Sequence, residues 1–155
     1  MTLKIFERPA FTVVGMEIVT RPRSPDIPGL WPKFVARIDE IENMREPRVS
    51  YGVMWNGGSR DVLHYLASAA VAKPARVPQG MTMLTLPAGT YASFSYPLSQ
   101  LGNGFGEIFG RLLPASGYAQ ALGPFFERYD ETFNPGNADS MVEICLPIKK
   151  RDAAH

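Results

Sequence analysis

The chain has a single cysteine, only two histidines, no excess of charge of either sign and no long apolar run. Cys145 has no partner for an internal disulfide, and with His64 and His155 as the sole histidines no zinc or haem ligand spacing exists. Metal chemistry is therefore set aside, and no cofactor is expected. The 16 basic residues are matched by 15 acidic ones, so the chain carries no broad positive field. Direct nucleic-acid binding through a cationic face is not expected on that ground. The one basic run, Lys149-Lys150-Arg151, reads as a solvated tail. Charges at Lys4, Glu7 and Arg8 interrupt the N-terminal stretch, which reads as neither a signal peptide nor a membrane span. A cytoplasmic protein without membrane contact is expected.

What is present is ordinary globular usage: 45% hydrophobic and 20% charged residues over 155 positions, enough for one domain covering 1–155. The most informative feature is internal. Pro9-Ala10-Phe11-Thr12 returns 78 residues later as Pro87-Ala88-Gly89-Thr90, and the same offset lays Leu30-Trp31 on Ile108-Phe109, Phe34 on Leu112, Tyr51 on Tyr129 and Leu66 on Ile144. Two repeats are predicted, over 1–76 and 79–154. Halves of that size bury little core alone, so they should pack together and leave a groove along a pseudo-two-fold axis.

Local signals return in the same order. Phe11 to Val19 alternates like a strand, and Leu30, Phe34, Ile38 and Ile41 recur at helical spacing with Pro32 in a first turn. Val49 to Trp55 and Arg60 to Val71 then read as strands around the turn signal Asn56-Gly57-Gly58. In the second half, Met81 to Tyr96 forms two strand-like runs broken at Pro87-Ala88-Gly89. A glycine-rich loop at Gly102 to Gly106 leads to a helix ending at Pro114, and Phe125 to Tyr129 and Met141 to Ile148 read as the last strands. The fold class is α+β, two β-α-β-β units around a central cleft. Gly-x-Gly-x-Gly lacks both the lysine of a phosphate loop and the full dinucleotide fingerprint, so it reads as a groove-edge loop.

Leu113-Pro114-Ala115-Ser116-Gly117-Tyr118, Pro124-Phe125-Phe126-Glu127-Arg128-Tyr129 and Val142-Glu143-Ile144-Cys145-Leu146-Pro147-Ile148 resemble the GyrI-like small-molecule-binding domains, which also serve as effector-binding domains of AraC-type and MerR-type multidrug regulators. Ile27-Pro28-Gly29-Leu30-Trp31, Tyr51-Gly52-Val53 and Pro87-Ala88-Gly89-Thr90-Tyr91-Ala92 match earlier landmarks in order, so the resemblance is nearly end to end. It implies a duplicated β-α-β-β domain whose central cleft takes hydrophobic, often cationic, compounds. Leu112 departs from the aromatic residue that many members carry before the Leu-Pro pair.

Glu143 is the leading site candidate. Alternation within the last strand turns it away from Val142 and Ile144, and the resemblance implies a cleft carboxylate in this motif. The 78-residue offset places Tyr65 opposite it, Tyr91 in the position of Val13, and Phe109 in that of Trp31. These aromatics, with Tyr51, are expected to wall the cleft and offer cation–π faces. Glu127 is a secondary candidate, and Cys145 is expected near Glu143 as a small apolar neighbour without a histidine base. His64 reads as a core or rim residue, and no catalytic triad is supported. The sequence thus points to a stand-alone effector-binding protein for hydrophobic or cationic aromatic small molecules, with a separate regulatory protein needed for any transcriptional role. The alternative is a hydrolase of strained electrophiles, with Glu143 and Tyr65 as its catalytic pair. A weaker alternative is a gyrase-inhibitor-like regulator.

Overall fold

The computed structural model describes residues 3–56, 61–72 and 76–151. Gly57 and Gly58 of the expected turn, and His155, lie outside them. In chain order the elements are β1 (Lys4–Arg8), β2 (Phe11–Thr20), α1 (Asp26–Val35), β3 (Ser50–Trp55), β4 (Leu63–Val71), β5 (Thr82–Leu86), β6 (Gly89–Pro97), α2 (Leu101–Glu107), β7 (Tyr118–Gln120), β8 (Phe125–Tyr129) and β9 (Met141–Lys150). The strands form a mixed-class α+β domain with one antiparallel sheet in the order β1-β6-β9-β8-β3-β4-β2-β5, and β7 pairs with β9 beside that path.

This order reads the same from either end if β1 to β4 are exchanged with β5, β6, β8 and β9. Each half lends its first strand to the other: β1 closes onto β6, and β5 onto β2. The halves meet edge to edge, through β3 and β8, rather than face to face. Both helices consequently cover the same face of one continuous sheet. Leu30 and Phe34 of α1 pack on Val14, Tyr65, Ala67 and Ala69, and Ile108 after α2 packs on Phe94, Ile144 and Leu146. The other face has its own core of Phe11, Val13, Tyr51, Val53, Tyr91 and Phe126, joined by Phe6 and Leu84 from the two edge strands.

The uniform offset of 78 residues holds only for part of the sheet. Val13 pairs with Ala70 and Tyr91 with Pro147, so β2 and β6 are 78 apart whereas β4 and β9 are 77 apart. Val53 pairs with Leu66 and Arg128 with Glu143, which sets β3 and β8 75 apart. A one-residue slip in a strand exchanges its two faces. The structural counterpart of Tyr65 is therefore Val142 rather than Glu143, and Tyr51 does not correspond to Tyr129.

Several local expectations change as well. Helix α1 starts four residues before Leu30, with the Ser24 hydroxyl accepting from the Asp26 amide at 3.1 Å, so Pro28 takes the first turn and Pro32 falls inside the helix. Ile38 and Ile41 lie beyond it, around a short 3-10 turn, yet still pack into the same core. The glycine-rich segment is helical, not a loop: α2 runs through Gly102, Gly104 and Gly106 and continues as a wide π turn over Ile108–Leu112. Gly104 explains why packing overrides propensity there, since a Cβ at that position would lie 2.7 Å from the Tyr96 ring. Lys149 and Lys150 end β9 and pair with β7, so the basic run is not a free tail. No helix among the described residues is long and apolar enough to cross a membrane.

Candidate functional site

Alternation along β8 decides the site. Glu127 and Tyr129 face the helices, whereas Phe126 and Arg128 face the opposite side. Glu127 pairs with Gly52 on β3, and the two central strands form the floor of a cavity of about 670 Å³ between α1 and the start of α2. Trp31, Pro28 and Val35 of α1 line one side, Leu98 and Leu101 another, and Tyr129, Phe133 and Pro135 the third. Among the described residues that line it, Glu127 is the only charged one.

The carboxylate is held by phenols. Tyr65 donates to Glu127 Oε1 at 2.8 Å and Tyr129 donates to the same oxygen at 2.7 Å. Trp31 Nε1 in turn donates to the Tyr65 hydroxyl at 3.0 Å. Among the described residues no donor takes Oε2. Glu127 is only 6% exposed, and burial raises its pKa even though the two phenols pull it down. Tyr65 and Tyr129 are pushed well above the ordinary tyrosine value, first by burial and then by the Glu127 charge, so both stay protonated donors. The Trp31 ring stands edge-on to Tyr129 at 5.2 Å and to Tyr65 at 6.2 Å. The site is a single acidic oxygen pair set in an aromatic, apolar box.

This geometry divides the residues singled out in the sequence. Trp31, Tyr65 and Glu127 come together. Glu143, Cys145, Tyr51 and Tyr91 lie on the opposite sheet face, because Glu143 pairs with Arg128 and Cys145 with Phe126. The expected pairing of Glu143 with Tyr65 across one cleft does not occur, and the 77-residue register of β9 is the reason. Phe109 sits in the π turn, 41% exposed, and does not line the cavity. On the opposite face Tyr51 accepts from Arg8 at 3.0 Å and donates to Glu46 at 2.8 Å, while Arg128 reaches Glu46 at 3.3 Å. The Arg8 guanidinium stacks 4.0 Å from the Phe11 ring. Burial pushes the Cys145 thiol up, with the Glu143 charge adding to it, so this thiol is held protonated. His64 meets Glu17 at 3.2 Å and stacks on Trp55, also away from the cavity. Tyr129, which the sequence reading does not single out, joins this candidate site, and its place two residues after Glu127 on the same face carries the signal.

A cavity of this size with one convergent polar centre is the usual form of a small-molecule site. The sequence profile of the GyrI-like small molecule binding domain matches residues 1–149. The chain belongs to the GyrI-like family. It is 36% identical over 151 residues to the transcriptional regulator BrlR of Pseudomonas aeruginosa, covering 96% of this chain and 56% of that protein. The GyrI-like domain thus spans little more than half the length of that relative. Among solved structures, SAV2435 bound to tetraphenylphosphonium superposes with a TM-score of 0.77 at 16% identity, over 96% of this chain and 94% of that one. The C-terminal domain of EcmrR gives 0.70 at 13% identity, over 97% and 98%. At these identities the likeness establishes a shared fold.

Proposed function

We propose that this GyrI-like domain binds hydrophobic monocations of delocalised charge, with Glu127 as the counter-ion and Trp31, Tyr129 and Phe133 as the aromatic walls. The carrying observation is that the described lining of the cavity is apolar and aromatic apart from Ser50 and one carboxylate, Glu127. An aromatic cation placed there loses little hydration, meets ring faces, and pairs with a carboxylate whose own desolvation has already been met on folding. A neutral guest gains only the apolar contact, and an anion is repelled. The tetraphenylphosphonium named for SAV2435 is the natural probe.

Calorimetric titration with tetraphenylphosphonium and with the isosteric anion tetraphenylborate tests the reading. Binding of the cation and rejection of the anion are expected, and equal affinity for both would remove the charge argument. Mass analysis of incubated strained electrophiles separates binding from turnover, since steady conversion would favour the hydrolase reading, in which Glu127 rather than the expected Glu143 would partner Tyr65. The likeness to BrlR supports a sensing role within a transcriptional system, in which DNA contact is made by a separate segment or protein.

A further inference from the structure

We infer that Gly52 is the positioning residue of this cavity: by carrying no side chain it leaves the space over β3 in which the Tyr65 hydroxyl reaches Glu127 and holds its carboxylate toward the ligand. The inference rests on the proposed reading of the cavity but concerns how its charged centre is built. Gly52 lies in the middle of the sheet, paired with Ala67 on one side and with Glu127 on the other. A Cβ there would stand 2.2 Å from the Tyr65 hydroxyl oxygen, 2.8 Å from its Cζ and 2.8 Å from Glu127 Oε1. Real Cβ atoms essentially never approach to any of these distances, so even alanine would force the phenol off the carboxylate. The position has an ordinary strand conformation without positive φ. Its need for glycine is spatial, not conformational.

The consequence runs through the charge on Glu127. The Tyr65 hydrogen bond favours the ionised carboxylate over the protonated one. Losing it leaves burial less opposed, and the carboxyl takes up its proton at higher pH. Trp31 loses its acceptor in the same event, because its indole N–H is spent on the Tyr65 hydroxyl. A glycine with a purely packing role would change stability without moving the Glu127 titration.

The test uses Gly52→Ala, Tyr65→Leu and the double variant. The Glu127 side-chain carboxyl carbon, identified in NMR spectra by its absence from Glu127→Gln, is titrated without ligand. Its midpoint is expected to move upward in Gly52→Ala, upward in Tyr65→Leu, and no further in the double variant. A folded Gly52→Ala with an unchanged midpoint, or additive shifts in the double variant, would overturn the inference. Should Gly52→Ala fold poorly, Tyr65→Leu removes two of the three atoms that crowd the new methyl group, the hydroxyl and the Cζ, and leaves Glu127 Oε1 free to turn away, so the double variant should melt above Gly52→Ala. Further loss instead would also refute it. Tetraphenylphosphonium titration at neutral pH supplies the separate check: Gly52→Ala is expected to lose about tenfold in affinity, or ~1.4 kcal/mol. If the wild type binds no such cation while the titration shifts as expected, the ligand reading fails and the positioning role stands.

Discussion

Glu127 and Gly52 face each other across the two central strands of the sheet, and the space that the glycine leaves is filled by the hydroxyl of Tyr65. This places the domain's buried carboxylate where the two halves of the chain meet. Replacing Glu127 by glutamine keeps the shape and removes the charge, so affinity for tetraphenylphosphonium should fall about ten- to a hundred-fold, or ~1.4–2.7 kcal/mol. Glu143→Gln should bind the cation like the wild type, because Glu143 pairs with Arg128 on the opposite face. Titration calorimetry on the two variants separates the assignments, and a large loss in Glu143→Gln would reverse them.

The raised pKa of Glu127 gives stability a defined pH dependence. Below the ordinary carboxylate value of 4.5, folded and unfolded chains both hold the proton and Glu127 makes no difference. As pH rises from there toward the higher folded value, the unfolded chain releases its proton first, and this carboxyl lowers stability until both states are ionised. Melting temperatures of Glu127→Gln should thus equal those of the wild type near pH 4 and exceed them at neutral pH. Cation binding has the opposite slope: it requires the ionised form, weakens as pH falls through the folded value, and releases a proton in that range. Calorimetry in buffers of different ionisation enthalpy would read that proton.

The face away from the helices should affect stability without affecting binding. Tyr51→Phe removes an acceptor for Arg8 and a donor to Glu46. A hydrogen bond to charged groups is worth roughly 1.5–3 kcal/mol, so the melting temperature should drop by several degrees while tetraphenylphosphonium affinity stays put. The Cys145 thiol, 1% exposed and held protonated, should react with a disulfide reagent only as fast as the protein unfolds. Rapid labelling of the native protein would contradict that picture.

The fold class, most strand positions and the order of elements were legible because alternation and turn residues are local signals. The candidate site was legible only in part, and β9 shows why. Counting 78 residues from Tyr65 reaches Glu143, but strand pairing runs at 77, and one residue is the whole difference between the two faces of a sheet. Glu127 was visible as the carboxylate of Phe-Glu-Arg-Tyr, yet its rank depended on β8 being a central strand rather than an edge, which is a property of long-range pairing. The helical state of Gly102 to Gly106 was likewise hidden, since it depends on the contact of Gly104 with Tyr96. β1 and β7 escaped notice because five and three residues carry too little pattern.

Trp31 joins wall and scaffold in one side chain, and two substitutions separate those parts. Its ring lines the cavity, while its indole N–H donates to Tyr65. Trp31→Phe keeps an aromatic face and gives up the donor, whereas Trp31→Ala gives up both. A cation–π contact in a desolvated site is worth about 2 kcal/mol, so the alanine variant should lose roughly thirtyfold in affinity for tetraphenylphosphonium, and the phenylalanine variant distinctly less. In a Trp55→Phe background the emission of Trp31 alone reports occupancy, and addition of the cation should change it in proportion to the calorimetric saturation. An emission that stayed constant while calorimetry showed binding would place the cation away from Trp31 and outside this cavity.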